Sequence, residues 1–246
     1  MGSFKKLSLE MGGKNASIVF ADAHMEKTLD GVARAAFLNQ GQICLCGSRI
    51  LVEESAYETV REGLIKRAKA LRIGDPTSPE TDQGALVSKA HWLKVKDCVA
   101  LAEGEGGRIL VGGRVPEMPG DFKNGYFFEP TLIEGLGIGS RTNQEEIFGP
   151  VATLMPFRSE EEAIELANGT RYGLAASVWT RDGDRAHRVA RRLDAGLVWI
   201  NTWMIRDLRT PFGGVKESGV GREGGMDALR FFSEVKNICF SISEES

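Results

Sequence analysis

The chain lacks any apolar run approaching the ~18 residues needed to cross a bilayer. Its first residues, Met1-Gly2-Ser3-Phe4-Lys5-Lys6, lack the apolar core of a secretory signal, and lysine at position 6 breaks the myristoylation pattern. It is short of cysteine and histidine, with four and three respectively in 246 residues. Four cysteines make no disulfide scaffold, so a reducing cytoplasm is the expected location. Cys44 and Cys46 lie close together, Cys98 and Cys239 lie far off, and His24, His91 and His187 stand at no zinc-type spacing, which argues against a zinc site. There is no excess of positive charge either. With 31 basic and 34 acidic residues the net charge is −3, which gives no global attraction to nucleic acid or anionic membrane. No repeat of solenoid period and no low-complexity segment occurs.

What is present suits a globular domain with a sizeable core: 42% apolar and 26% charged residues. Thirty glycines exceed the roughly 7% usual in globular chains, so many tight turns and close backbone approaches are needed. Apolar runs alternate with helical patterns. Lys6–Glu10 reads as a short strand ending at Gly12-Gly13, and Ser17–Phe20 as a second. Asp22 reads as the cap of a helix carrying Met25, Leu29, Val32, Ala36 and Phe37. Arg49–Val52 is a buried-type strand, followed by a helix with Tyr57, Val60, Leu64, Ala68 and Leu71 on one face. Further strands are expected at 108–111, 151–154, 175–180 and 197–200, with helices near 88–102, 160–168 and from 184. A glycine-rich loop spans 213–225, and a last helix and strand end near Ser241. Strands separated by helices predict an α/β fold with a mostly parallel sheet flanked by helices. The alternating apolar positions of Asn237–Ile242 predict a C-terminal strand that closes a sheet edge, its own or a partner's.

Two residues stand out chemically. Cys44 follows a polar turn, Asn39-Gln40-Gly41-Gln42, whose small and amide residues leave backbone N–H groups free as donors. Such a thiol is held toward a cleft, with N–H neighbours that lower its pKa and stabilise an oxyanion; the alternative is an ordinary core cysteine. Cys46, leading straight into a strand, fits the core role better. Glu10 ends an apolar strand before two glycines, at the strand end where α/β proteins place ligands, so it reads either as a general base or as a solvated strand-end charge. Glu145–Pro150 joins carboxylates to an aromatic pinned by Gly149-Pro150, suited to a hydroxylated ring ligand or to a plain turn. Gly219–Gly224 matches G-x-G-x-x-G, but polar Lys216–Ser218 precedes it, so it reads as a packing loop and not a dinucleotide site. His91 and His187, on helices, read as structural or surface residues.

Together these stretches resemble one family. Leu9-Glu10-Met11-Gly12-Gly13-Lys14-Asn15 resembles the glutamate signature of the aldehyde dehydrogenases, and Asn39–Cys44 resembles their cysteine signature, at the family's spacing. Glu146–Pro150 and Pro211–Gly219 match two further family blocks in the expected order. The resemblance implies an oxidoreductase in which Cys44 forms a thiohemiacetal with an aldehyde, hydride passes to NAD(P)+, and Glu10 activates the water that hydrolyses the thioester. It implies that the Cys44 N–H is half of an oxyanion hole, and that Glu146 and Phe148 hold the nicotinamide-side ribose and ring. Ile43–Arg49 and Asn201–Asp207 look like the muconic semialdehyde dehydrogenases, which act on 2-aminomuconate or 2-hydroxymuconate semialdehyde. In that setting Arg206, in the family's substrate loop, clamps a substrate carboxylate or is a solvated loop arginine, and Arg209 is a second candidate.

The resemblance further implies a dinucleotide-binding domain of similar size ahead of the catalytic one, together with an asparagine completing the oxyanion hole. Neither is found here. The expectation is therefore a catalytic half: residues 1–15 as the junction bearing the glutamate motif, 16–225 as catalytic domain, 226–246 as helix and oligomerisation strand. NAD or NADP binding is then weakened or lost, and activity awaits a complementary half. The expected partners are a small-molecule aldehyde and other subunits, in a homo-oligomer or a hetero-oligomer with full-length chains, with no nucleic acid or membrane. The competing expectation is a catalytically inactive interaction module docking on full-length subunits, with a weak NAD-independent thioesterase as a lesser variant.

Overall fold

The computed structural model describes residues 4–242. The chain starts with a two-residue strand, β1 (Leu9–Glu10), and turns at Gly12 and Gly13 into the fully buried β2 (Ala16–Val19). In α1 (Met25–Phe37) the apolar spacing does its work: Leu29, Val32, Ala36 and Phe37 are buried on one face. β3 (Arg49–Glu53) leads to α2 (Tyr57–Ala70), which buries Val60, Leu64 and Ala68. α3 (Lys89–Gly104) is capped by the Ser88 hydroxyl, which accepts the His91 N–H. Next come β4 (Arg108–Val111), β5 (Thr131–Glu134), the single-turn α4 (Arg141–Gln144) and β6 (Val151–Phe157). The rhythm continues through α5 (Glu160–Asn168), β7 (Tyr172–Gly173), β8 (Ala175–Trp179), α6 (Gly183–Ala190) and β9 (Leu197–Ile200). Two short strands, β10 (Val215–Lys216) and β11 (Gly219–Val220), precede α7 (Gly225–Phe231).

Seven strands form the main sheet in the order β4-β5-β6-β3-β2-β8-β9. Only β4 runs antiparallel to its neighbour; every other pair is parallel. Period-2 alternation sends Ile18, Leu51, Met155 and Val178 to one face, against Ala163 and Ile164 of α5 and Val189 of α6. Val19, Ile50, Val52 and Leu154 face the other way, against Leu29 and Val32 of α1 and Val60 and Leu64 of α2. The fold is thus the mostly parallel, helix-flanked α/β sheet that the alternation predicts. Two small antiparallel ribbons lie outside it, β1 with β11 and β7 with β10.

Several expectations need correction. Lys6–Ser8 is not strand; only Leu9 and Glu10 pair, with Val220 and Gly219. Asp22 does not cap α1, whose N-cap is His24 with no side-chain bond. Its carboxylate instead accepts the Thr180 hydroxyl and the Arg181 and Asp182 N–H groups and pairs with Arg185, tying the exit of β2 to that of β8. Residues 237–242 form no strand within this chain and close no edge of its own sheet; Ile238, Phe240 and Ile242 are exposed. The rest of the segment 226–246, beyond residue 242, lies outside the described residues, as do residues 1–3.

Candidate active site

Three of the motif-bearing segments enter the main sheet at the same end. Glu10–Asn15 immediately precede β2, Cys44–Cys46 precede β3, and Glu146–Pro150 precede β6. Because β6, β3 and β2 are parallel neighbours, segments far apart in sequence are laid side by side. This corrects the expectation for Glu10. It does end a strand, but that strand belongs to the outer ribbon, and relative to the main sheet the site lies at the amino ends of the strands.

The turn before Cys44 is built from left-handed backbone. Asn39, Gln40 and Gly41 have φ of 52°, 56° and 67°. Asparagine tolerates this region through its short polar side chain, and a Cβ at Gly41 would collide with the Gly149 carbonyl. Cys44 is half-buried and Cys46 buried. Burial lifts the Cys44 thiol above its ordinary value, and the Glu10 and Glu146 carboxylates lift it further. Its own backbone N–H and the Arg206 guanidinium pull the other way. The Cys46 thiol is pushed up to about 12, chiefly by burial, as suits a core cysteine.

Glu10 is the anomaly of the site. Both carboxylate oxygens are buried without a hydrogen-bond partner among the described residues. Oε1 would lie 3.0 Å from a Cβ on Gly213, so the glycine leaves the room that this carboxylate uses. Burial raises its pKa, negative Glu223 raises it further, and Arg222 and Arg206 oppose. The carboxylate's charge acts on the Cys44 thiol, and a partly buried carboxylate with a raised pKa beside a thiol is a functional-site candidate.

Glu146 faces the same cluster. Its Oε1 accepts the Gly13 N–H at 2.9 Å, and its carboxylate lies against Gly12, where a Cβ would displace it. Phe148 is held in the left-handed region at φ 60°. His91 donates from Nε2 to the Phe148 carbonyl at 2.6 Å and meets its ring edge-on, with centroids 6.1 Å apart. His91 is therefore structural, as read from sequence, but it supports a candidate ligand-binding residue. One carboxylate and one ring fit the ribose and ring of a nicotinamide nucleotide. For the adenosine and pyrophosphate end no strand–glycine loop–helix cradle is found among the described residues. The Gly219–Gly224 motif is a packing loop: Gly219 and Val220 are themselves antiparallel strand, and a Cβ on Gly224 would sit 2.8 Å from the Leu208 carbonyl.

Arg206 stacks its guanidinium 4.3 Å from the centroid of Phe212. It lines a cleft of about 190 Å³ with Leu197, Ile205, Phe212 and Glu223. Its charge reaches both Cys44 and Glu10. Arg209 does not join this group: its guanidinium is held in solvent by a fork of bonds to Asp207, one of them 2.5 Å. Sequence reasoning gave no role to Asn15, Lys14, Trp203 or Glu223. Lys14, 2% exposed, has its pKa lowered to about 7, mainly by burial. Trp203 Nε1 donates to the Leu45 carbonyl at 3.0 Å. Lys14, Asn15 and Trp203 lie within the quoted motif segments, but what each touches depends on a fold neighbour distant in sequence.

Comparison with known proteins gives the family. The aldehyde dehydrogenase family model matches residues 1–238, and the chain belongs to that family. It is 49% identical to the 2-aminomuconic 6-semialdehyde dehydrogenase of Pseudomonas sp over 98% of this chain and 49% of that one. It is 51% identical to the 2-aminomuconic semialdehyde dehydrogenase of Danio rerio, over 95% of this chain and 48% of the relative. Among solved structures, the HpcC protein of Thermus thermophilus superposes with a TM-score of 0.92 at 43% identity, covering 98% of this chain and 48% of that chain. Betaine aldehyde dehydrogenase of Staphylococcus aureus in complex with NAD+ gives 0.88 at 42% identity, covering 90% and 44%. The chain spans about half the length of the curated relatives it matches.

Proposed function

We propose that these residues form the catalytic part of an NAD(P)+-dependent aldehyde dehydrogenase acting on a muconic-type semialdehyde. The observation that carries the proposal is the Glu10 carboxylate, buried and unpartnered, acting on the titration of the Cys44 thiol. The Cys44 sulfur adds to the aldehyde carbon, giving a tetrahedral thiohemiacetal whose oxygen is stabilised by the Cys44 N–H. A nicotinamide nucleotide held by Glu146 and Phe148 would supply the hydride acceptor needed to take this adduct to a thioester. Glu10 takes a proton from water as the water attacks the thioester carbon and returns it to the departing sulfur as the C–S bond breaks, so that the thiol is regenerated and a carboxylic acid leaves. Glu146 presents its carboxylate to ribose hydroxyls, and Phe148 presents its ring to the nicotinamide. Arg206, braced on Phe212, pairs with a substrate carboxylate. The names of the semialdehyde dehydrogenase relatives support this substrate class.

The binding of adenosine and pyrophosphate is assigned to a dinucleotide-binding platform outside these 246 residues. Assayed alone, the 246-residue chain is expected to bind NAD+ very weakly and to show negligible turnover. An aldehyde-mimicking thiol reagent tests the nucleophile. Labelling should vanish in Cys44→Ala and persist in Cys46→Ala; equal labelling of both thiols would sink the assignment.

A further inference from the structure

We infer that Asn15 is a positioning residue that fixes the Cys44 thiol, an inference that rests on the reading of Cys44 as nucleophile. The Asn15 side chain is buried, 4% exposed, at the entrance to β2. Its Nδ2 donates to the Cys44 carbonyl at 2.7 Å and to the Cys46 carbonyl at 2.9 Å. Its Oδ1 accepts the N–H of Ala175, the first residue of β8, at 3.0 Å. Its own carbonyl accepts the Arg49 N–H that begins β3. The amide orientation follows from the partners, since Nδ2 faces only acceptors and Oδ1 faces a donor. All the hydrogen-bonding capacity of its NH2 group is spent on the two carbonyls flanking Leu45.

The consequence follows from peptide planarity. The peptide plane before Cys44 is set by the Cys46 N–H donating to the Ile43 carbonyl at 3.0 Å. The plane after Cys44 is set by Asn15, and the next by Trp203 on the Leu45 carbonyl. With the planes on both sides anchored, the φ and ψ of Cys44 are fixed, and so are the directions of its Cα–Cβ bond and of its N–H, leaving the thiol only the rotamers about one bond. A nucleophile and the donor that stabilises its adduct are then held together before substrate arrives. Gly13 makes the clamp possible: a Cβ there would lie 2.8 Å from Asn15 Oδ1 and 2.9 Å from the Cys44 carbonyl. The same glycine gives its N–H to Glu146, so the clamp adjoins the proposed ribose-binding carboxylate.

The test is the relative alkylation rate of Cys44, Cys46 and Cys98 under limiting iodoacetamide, read by peptide mass spectrometry on the intact chain. Asn15→Ala releases the Cys44 carbonyl and leaves the Cys46 carbonyl to the Ser48 N–H alone. The Cys44-to-Cys46 rate ratio is expected to fall about tenfold, the scale of one or two lost hydrogen bonds, while Cys98 on α3 keeps its rate. An unchanged ratio overturns the inference. So does a common rise at all three cysteines, which marks general loosening. If Asn15→Ala does not fold, Asn15→Ser, whose hydroxyl serves one carbonyl only, is expected to give an intermediate ratio, and an unaltered one overturns the inference. Failure of the underlying reading looks different: in the unmodified chain Cys44 would then react no faster than Cys46.

Discussion

Glu146 accepts the Gly13 N–H at 2.9 Å across 133 residues of sequence. The bond ties the loop bearing Glu10 to the carboxylate proposed to hold the cofactor ribose. It arises because β2 and β6 flank β3 in one parallel sheet, so the segments entering them meet over the Cys44 turn.

Gly12→Ala tests that link. The added methyl meets the end of the Glu146 side chain, a flexible group that can swing away, so the fold should survive. The displaced carboxylate is expected to raise KM for NAD+ in the complete enzyme by about tenfold, the worth of roughly 1.4 kcal/mol. KM for the aldehyde should change little. Equal effects on both constants would mean that the two motifs are not separately addressable.

Arg206 and Arg209 should separate cleanly. Arg206 faces the cleft and stacks on Phe212, whereas Arg209 is committed to Asp207 in solvent. Arg206→Ala is expected to lower kcat/KM for a carboxylate-bearing semialdehyde by 10- to 100-fold, about 1.5–3 kcal/mol for a charge-assisted pair. A neutral aldehyde should lose far less, and Arg209→Ala should be near neutral for both. Equal losses for charged and neutral aldehydes in Arg206→Ala would end the clamp proposal.

Arg49 is a stability test of the same region. It is 1% exposed, and its guanidinium donates to the carbonyls of Lys14, Leu166 and Ala167. It therefore ties the loop ahead of β2 to the C-terminal end of α5. Burial lowers its pKa to about 10, still charged at neutral pH. Arg49→Met leaves three carbonyls without their donor and is expected to cost about 3 kcal/mol in urea unfolding. A loss below about 1 kcal/mol would mean that water or a repacked side chain serves them equally well.

The exposed tail is a test of assembly. Val235, Ile238, Phe240 and Ile242 are each more than 80% exposed. An alternating apolar segment that is exposed and paired with no strand of its own chain among the described residues suits the sheet edge of a second copy. Phe240→Asp is expected to reduce the molar mass measured by light scattering. A parent chain that is already monomeric, alone and in the complete enzyme, would contradict this.

Much of the fold was legible because its signals are local. Period-2 and 3.6-residue patterns located β2, β3, β8, β9, α1 and α2. The strand order was not legible, since it depends on which helix packs on which face. Asp22 misled for a related reason. An aspartate just before a helical run looks like a cap, but the carboxylate found stronger partners in Thr180, Arg181, Asp182 and Arg185, contributed by a strand exit far along the chain. Cys44 and Glu10 could be singled out as candidates from their local sequence. Asn15 could not, because an amide's role lies in the carbonyls it faces.

Glu10 provides the pH test, and the sign follows from its raised pKa. Burial and the negative charge of Glu223 make the folded chain hold the proton more tightly than the unfolded chain does. Between the unfolded and folded values, the native state binds more protons, so stability falls as pH rises through that window and is level above it. Glu10→Gln removes the ionisation. It is expected to match the parent below the unfolded value and to exceed it in stability above the folded one. Glu223→Gln removes one of the two causes while leaving the backbone pairing of Glu223 with Phe212 intact. The acidic limb of kcat in the complete enzyme should then move to lower pH, because deacylation needs ionised Glu10. A limb that stays put, with Glu10→Gln inactive, would assign that limb to another group.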